Sequence, residues 1–233
     1  MSLLEVQDIH TYYQDSYVLQ GVSLKVEKGT VVVILGRNGV GKTTLIRSII
    51  GFNPPRRGKI IYQGQDITHR ESFRSVRLGI GLVPQGRRIF SSLTVKENIE
   101  IAAQKQGASP WTLDRLLSLF PQLRGRLYTR GGKLSGGEQQ MLACSRALIG
   151  NPDLLLMDEP SEGLSPIVIQ EIGRIIDEIK ARGLSILLVE QNFSFALKLA
   201  DYVYVMSKGT IVYESEPKEL WENIEIKSSY LGI

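Results

Sequence analysis

A chain of 233 residues, 42% hydrophobic and 22% charged, can bury a substantial core, which excludes a disordered or fibrous protein. Its formal net charge of +4 is mild and its basic residues are scattered, so no nucleic-acid partner is expected. The one cysteine, Cys144, excludes an internal disulfide and suits a reducing compartment, and its expected place is a small core position on a helix.

No apolar run approaches the ~20 residues a helix needs to cross a bilayer. The first residues carry Glu5 and Asp8 where a signal peptide would carry bases. The expected location is the cytosol, and any membrane role must come through a partner.

In chain order, residues 3–9 and 18–26 read as strands. Val31–Leu35 is a continuous β-branched and leucine run, as in a strand buried on both faces. A Gly-rich segment and an apolar-periodic helix around Leu45, Ile46, Ile49 and Ile50 follow at once. Residues 59–62 and 79–83 are further short strands. Thr94 and Glu97 have the spacing of a capping box, and Ser109-Pro110 is read as the start of another helix. Residues 85–150 are mostly helical. Strands resume at 153–157, 185–189, 202–206 and 210–213, with a helix from Ser165-Pro166 to about Arg182. Strands alternating with helices imply a mainly parallel sheet covered on both faces. The expected fold class is therefore α/β, a single domain over 1–233. Its catalytic core spans about 1–84 and 151–233 and carries an antiparallel β sub-domain; the inserted helical sub-domain spans about 85–150.

Gly36-Arg37-Asn38-Gly39-Val40-Gly41-Lys42-Thr43 matches G-x-x-x-x-G-K-[ST]. Glycines let successive backbone N–H groups curl around phosphate oxygens, and the following helix adds the positive end of its dipole. Lys42 is placed to reach the β- and γ-phosphates and the Thr43 hydroxyl to bind Mg²⁺. A chance Gly-rich turn would not sit between an apolar strand and an apolar helix, as this one does. The motif implies a nucleotide and not its use.

Leu154-Leu155-Leu156-Met157-Asp158-Glu159-Pro160 sets two carboxylates at the C-terminal end of a buried strand, the edge where open α/β sheets bind ligands. Asp158 is expected to hold Mg²⁺ through water, and Glu159 to orient or deprotonate an attacking water. Alternation along a strand would aim them at opposite faces. A polar strand end at the surface is the competing reading, weakened by the phosphate loop.

Leu134-Ser135-Gly136-Gly137-Glu138-Gln139-Gln140 precedes an apolar-periodic helix. Ser135 and Glu138 make a capping box, which leaves Gly136 and Gly137 unexplained, since each glycine costs about 1 kcal/mol against alanine inside a helix. The pair calls for a close approach to the backbone, as by an anion.

This segment resembles the signature motif of ABC ATPases. Together with Gly36 to Thr44, Gln85 and Asp158-Glu159 the resemblance spans essentially the whole chain in the family's order. It implies the P-loop NTPase ABC-ATPase fold, ATP and Mg²⁺ as cofactors, and ATP hydrolysis. It also implies a second ABC ATPase subunit, identical or not. Ser135, Gly136 and Gly137 of one subunit then contact the γ-phosphate held by Gly36, Asn38, Gly39, Gly41, Lys42, Thr43 and Thr44 of the other.

Tyr13 stands where the family stacks an aromatic ring on adenine, with Tyr12 and Tyr17 as neighbouring alternatives. Gln85, in Val83-Pro84-Gln85, resembles the loop glutamine that touches Mg²⁺ or water and hinges the helical sub-domain. Ser161 to Ser165 resembles the loop that meets the opposite subunit. The family usually places histidine after the strand ending at Val189; here Gln191 holds that place, and His10 and His69 lie elsewhere, expected at the surface. Either hydrolysis is slower, or Gln191 suffices because Glu159 carries the chemistry.

Glu190-Gln191-Asn192, Val83 to Phe90 and Glu159 to Leu164 resemble the second ATPase of branched-chain amino acid importers, with urea and short-amide importers close behind. That resemblance implies a permease, an external solute-binding protein and a place on the inner face of the cell membrane. A non-transport ABC protein would carry a long coiled-coil insertion or two cassettes. A P-loop kinase would have no use for Ser135-Gly136-Gly137.

Overall fold

The computed structural model describes residues 2–103 and 110–233. β1 (Ser2–Tyr13) and β2 (Ser16–Glu27) form a hairpin. Both outrun the alternating stretches 3–9 and 18–26, because pairing continues through polar positions such as Tyr12 opposite Tyr17 that carry no apolar pattern. β3 (Val31–Leu35) leads through the phosphate loop into α1 (Lys42–Ile50). Then come β4 (Arg57–Tyr62), the two-residue β5 (Gln65–Asp66), α2 (Ser72–Arg77) and β6 (Ile80–Val83).

Helices α3 (Val95–Glu100), α4 (Leu113–Leu119), α5 (Pro121–Arg124) and α6 (Gly136–Leu148) lie between β6 and β7 (Leu154–Asp158). The Thr94 box forms as expected: its hydroxyl accepts the Glu97 N–H at 3.2 Å, and Glu97 accepts the Thr94 N–H at 2.8 Å. The helix start expected at Ser109-Pro110 is corrected. Ser109 lies outside the described residues, Pro110 precedes the helix, and α4 begins at Leu113 because the Thr112 hydroxyl caps it by accepting the Arg115 N–H at 3.3 Å. The chain continues with α7 (Pro166–Ala181), β8 (Ser185–Glu190), α8 (Phe193–Leu199), β9 (Tyr202–Ser207), β10 (Thr210–Ser215) and α9 (Pro217–Glu222).

Two sheets result. The antiparallel one has the order β2-β1-β4-β5, and the larger one β10-β9-β3-β8-β7-β6, parallel except at β10. Alternation along the central strands divides the core. Val31, Val33, Leu35, Leu155, Met157, Ile186 and Leu188 pack with α6, α7 and α8 on one face. Val32, Ile34, Leu154, Leu156, Leu187 and Val189 pack on the other with α1 and the antiparallel sheet. Each fully buried Val, Leu or Ile contributes about 1.5–3 kcal/mol, so burial on both faces holds the strands that support the site firmly. Cys144 is buried in α6, and burial pushes its thiol up to about 12.

Candidate active site

β3, β8 and β7 are adjacent and parallel, with Leu35 beside Glu190 and Val189 beside Asp158. Their C-terminal ends share one edge, so the phosphate loop and the Asp158-Glu159 pair meet there, and Gln191 follows the strand between them.

The loop has no room for side chains where it leaves β3. A Cβ on Gly36 would stand 2.5 Å from the Met206 carbonyl oxygen. Gly41 caps α1 at φ 115° with no side-chain hydrogen bond, so the first-turn N–H groups of α1 face the loop, a ready anion seat. Asn38 and Gly39 are exposed at the loop tip, and Thr44 is buried on the inner side of α1. The Lys42 ammonium is buried. It donates to the carbonyls of Gly36 at 2.6 Å and Arg37 at 3.0 Å, and pairs with Glu159 Oε1 at 2.9 Å.

Thr43, Gln85 and Asp158 meet beside it. The Thr43 hydroxyl donates to Asp158 Oδ1 at 3.1 Å, with Gln85 Oε1 as a second, more distant acceptor at 3.5 Å. Gln85 turns its amide nitrogen the other way, donating to Glu159 Oε2 at 3.2 Å and Glu162 Oε2 at 3.0 Å. Burial pushes the Asp158 carboxyl up to about 6. Glu159 stands in the left-handed region, φ 48°. That conformation, uncommon for a residue with a Cβ, interrupts strand alternation, so both carboxylates reach the loop: Asp158 through Thr43, Glu159 through Lys42. A hydroxyl, an amide oxygen and a carboxylate form a hard-oxygen donor set of the kind Mg²⁺ takes, with phosphate and water filling its remaining positions.

Tyr13 borders the same crevice. With Thr43, Arg47, Gln85 and Asp158 it lines a cavity of about 290 Å³, and its hydroxyl accepts a hydrogen bond from Arg47 at 3.2 Å. Tyr12 and Tyr17 are stacked on each other, 4.5 Å between centroids, and Arg56 covers Tyr12, whereas Tyr13 is the one of the three that lines this cavity. Gln191 is exposed at the end of β8, next to the phosphate-loop strand. His69 is exposed, and His10 is partly covered beside Tyr17 and Asp8.

Ser135, Gly136 and Gly137 form the N-terminus of α6, where Ser135 accepts the Glu138 N–H and Glu138 returns the bond. Among the described residues no hydrogen bond or ion pair joins them to the phosphate loop of the same chain. Part of the requirement at Gly137 is internal, since a Cβ there would lie 2.9 Å from Val168; at Gly136 a Cβ would lie 2.9 Å from the end of the flexible Arg87 side chain, which can move aside. Periodicity carries no sign of these contacts, which depend on how α7 and residues 85–88 pack. Sequence reasoning also missed Glu162 as a partner of Gln85, and Glu190, a carboxylate only 2% exposed that resembled an ordinary strand end.

The profile of the ABC transporter family matches residues 19–162. The high-affinity branched-chain amino acid transport ATP-binding protein BraG of Pseudomonas aeruginosa is 42% identical over 232 residues, covering 99% of this chain and all of that protein. The lipopolysaccharide export system ATP-binding protein LptB of Acidithiobacillus ferridurans is 32% identical, over 99% of this chain and 97% of that one. The crystal structure of a nucleotide-free ATP-binding cassette from an ABC transporter superposes with TM-score 0.86 at 30% identity, over 97% of both chains. A profile match over more than half the length, joined to end-to-end relatives and the same fold, means that the chain belongs to the ABC transporter family, as an ATPase cassette.

Proposed function

We propose that this cassette powers the uptake of branched-chain amino acids through a membrane permease, working on the inner face of the membrane as one of two ATPase subunits, identical or not. The observation that carries the site assignment is the connected set Lys42, Glu159, Gln85, Thr43 and Asp158, assembled from three separate segments of the chain. For the cargo, identity to an amino acid import ATPase of 42%, against 32% to an export ATPase, favours import.

In this reading the core spans about 1–84 and 151–233, and the helical sub-domain about 85–150. Backbone N–H groups of the loop from Gly36 to Gly41, with the first turn of α1, cradle the ATP phosphates, while Asn38 and Gly39 cover them from the tip. Lys42 exchanges its carbonyl partners for β- and γ-phosphate oxygens, and Tyr13 supplies a face for adenine. Thr43, Gln85 and Asp158 would hold Mg²⁺, which would supply charge to neutralise the phosphates. Glu159, released from Lys42 as the ammonium turns to phosphate, orients the water and takes its proton. Gln191 donates to the γ-phosphate; its amide cannot become cationic. Ser135, Gly136 and Gly137 close over the ATP of the second subunit, so neither site is complete alone.

A groove of about 560 Å³ beside this site is the permease contact in the same reading. Phe52, Val76 and Ile101 line it and are exposed, and it shares Pro84 and Arg88 with the loop that carries Gln85. A permease segment seated there would feel any movement of Gln85. No helix of the described residues is long and apolar enough to cross a membrane, so attachment through the permease is the physical route to the bilayer.

The test is Glu159→Gln. It should retain ATP affinity, lose roughly 100-fold or more in turnover, and accumulate a closed ATPase pair. Turnover at the wild-type rate would remove Glu159 as the base. For the cargo, the cassette is reconstituted with its permease, partner ATPase and binding protein. Leucine should stimulate hydrolysis; stimulation by urea or acetamide instead would move the assignment to amide import.

A further inference from the structure

Glu190 ends β8 with its side chain sealed between two loops. Oε1 accepts the Ser161 N–H at 3.0 Å. Oε2 accepts the Gln191 N–H at 3.0 Å and the Asn192 N–H at 3.1 Å. These three donors are backbone N–H groups, joined by the Ser161 hydroxyl, and they come from two segments, one following β7 and one following β8. Ser161 lies two residues after Glu159, in the loop leading to α7. Gln191 and Asn192 lead into α8, whose first turn Asn192 caps by accepting the Phe195 N–H at 3.1 Å. Burial pushes the carboxyl above its ordinary range. A group needed only to fill this space would be apolar, as the four residues before it are.

We propose that Glu190 is a positioning residue that ties the loop behind Glu159 to the loop carrying Gln191, so that the water-orienting carboxylate and the phosphate-facing amide are held in register as one unit. This rests on the roles assigned above to Glu159 and Gln191. The geometry requires an acceptor at both ends of one side chain, and a carboxylate is the side chain of this length that offers only acceptors. Glu159 is tied to the same strand by its own N–H, which donates to the Val189 carbonyl at 2.9 Å. The pair Val189-Glu190 therefore anchors the 159–161 segment at two points. Among the described residues the Glu190 side chain makes no hydrogen bond or ion pair to the phosphate loop, so changing that side chain should leave nucleotide affinity nearly unchanged.

The experiment uses Glu190→Gln, which keeps shape and removes the symmetry. Whichever way the carboxamide faces, its NH₂ offers no acceptor to the backbone N–H groups on that side: the Ser161 N–H loses its bond even where the Ser161 hydroxyl accepts from the amide, or the Gln191 and Asn192 N–H groups lose theirs, and one loop is loosened. Expected is a fall in kcat of about tenfold to a hundredfold, the scale of an ångström-level misplacement, with the KM for ATP changed less than about threefold. Combined with Gln191→Ala, the loss should fall well short of the product of the two single losses, because both act through one unit. Multiplicative losses, or a drop in affinity matching the drop in rate, would overturn the coupling. Glu159→Gln is measured beside it. If that variant is inactive while Glu190→Gln retains wild-type kcat, the inference fails and the proposed chemistry stands. If Glu159→Gln retains full turnover, the proposed chemistry fails first. Should Glu190→Gln not fold, Glu190→Asp keeps the charge but draws the oxygens back by one methylene. A kcat-selective loss there supports the tie, and wild-type kcat refutes it.

Discussion

The buried pair of Lys42 and Glu159 makes a prediction about stability separable from catalysis. The two side chains are 3% and 8% exposed with 2.9 Å between charged atoms. Lys42→Met removes the cation and leaves a carboxylate whose remaining donor is the Gln85 amide. Breaking one side of a buried ion pair costs about 3–5 kcal/mol, because the surviving charge is uncompensated. For a chain of this length about 1 kcal/mol moves the midpoint by about 2–4 °C, so Lys42→Met should unfold roughly 6–20 °C earlier. Lys42→Met combined with Glu159→Gln removes both charges and should regain most of that loss. A residue of about 1–3 kcal/mol should remain, since the Gly36 and Arg37 carbonyls lose their shared donor. Thermal unfolding followed by circular dichroism without nucleotide measures all three proteins. A second series with Mg-ATP should raise the wild-type midpoint and leave both Lys42 variants unmoved. A single variant within about 2 °C of wild type, or a double variant no more stable than the single, would refute the reasoning that this pair is charged and dry.

Two further outcomes follow from particular contacts. Gln191→His should preserve or raise ATP turnover, since imidazole at the same exposed position can also donate to phosphate and can carry charge; a collapse in ATP affinity would show that Gln191 is not at the γ-phosphate. Gly137→Ala and Gly136→Ala should separate: the first forces a methyl against stiff Val168 and should cost about 1–3 kcal/mol, while the second meets the movable end of Arg87 and should leave the unfolding midpoint nearly unchanged. Equal midpoints for the two variants would contradict the packing described here.

Much of the fold was legible because its signals are local. Val31–Leu35 is apolar at every position, and the strand occupies those five residues. Thr94 with Glu97, and Ser135 with Glu138, are capping boxes written in four residues each, and both form. The start of α4 was misread because a proline and a capping threonine lie within three residues of each other, and propensity cannot rank them. The hairpin ends were underestimated because backbone pairing needs no apolar pattern.

Sequence alone determined which residue types the site contains: a loop of glycines ending in Lys42 and Thr43, two carboxylates after an apolar strand, a serine-glycine helix start. These follow from short spacings along one segment. Tertiary structure decided how they meet. The parallel register of β3, β8 and β7 sets Lys42 against Glu159, and the pairing of β6 with β7 makes Gln85 the bridge between Thr43 and Glu162. It also encloses Glu190 between two loops and presses Val168 onto Gly137. Each of these contacts joins segments far apart in the chain, and no local pattern reports a distance that only the packing of the sheet creates.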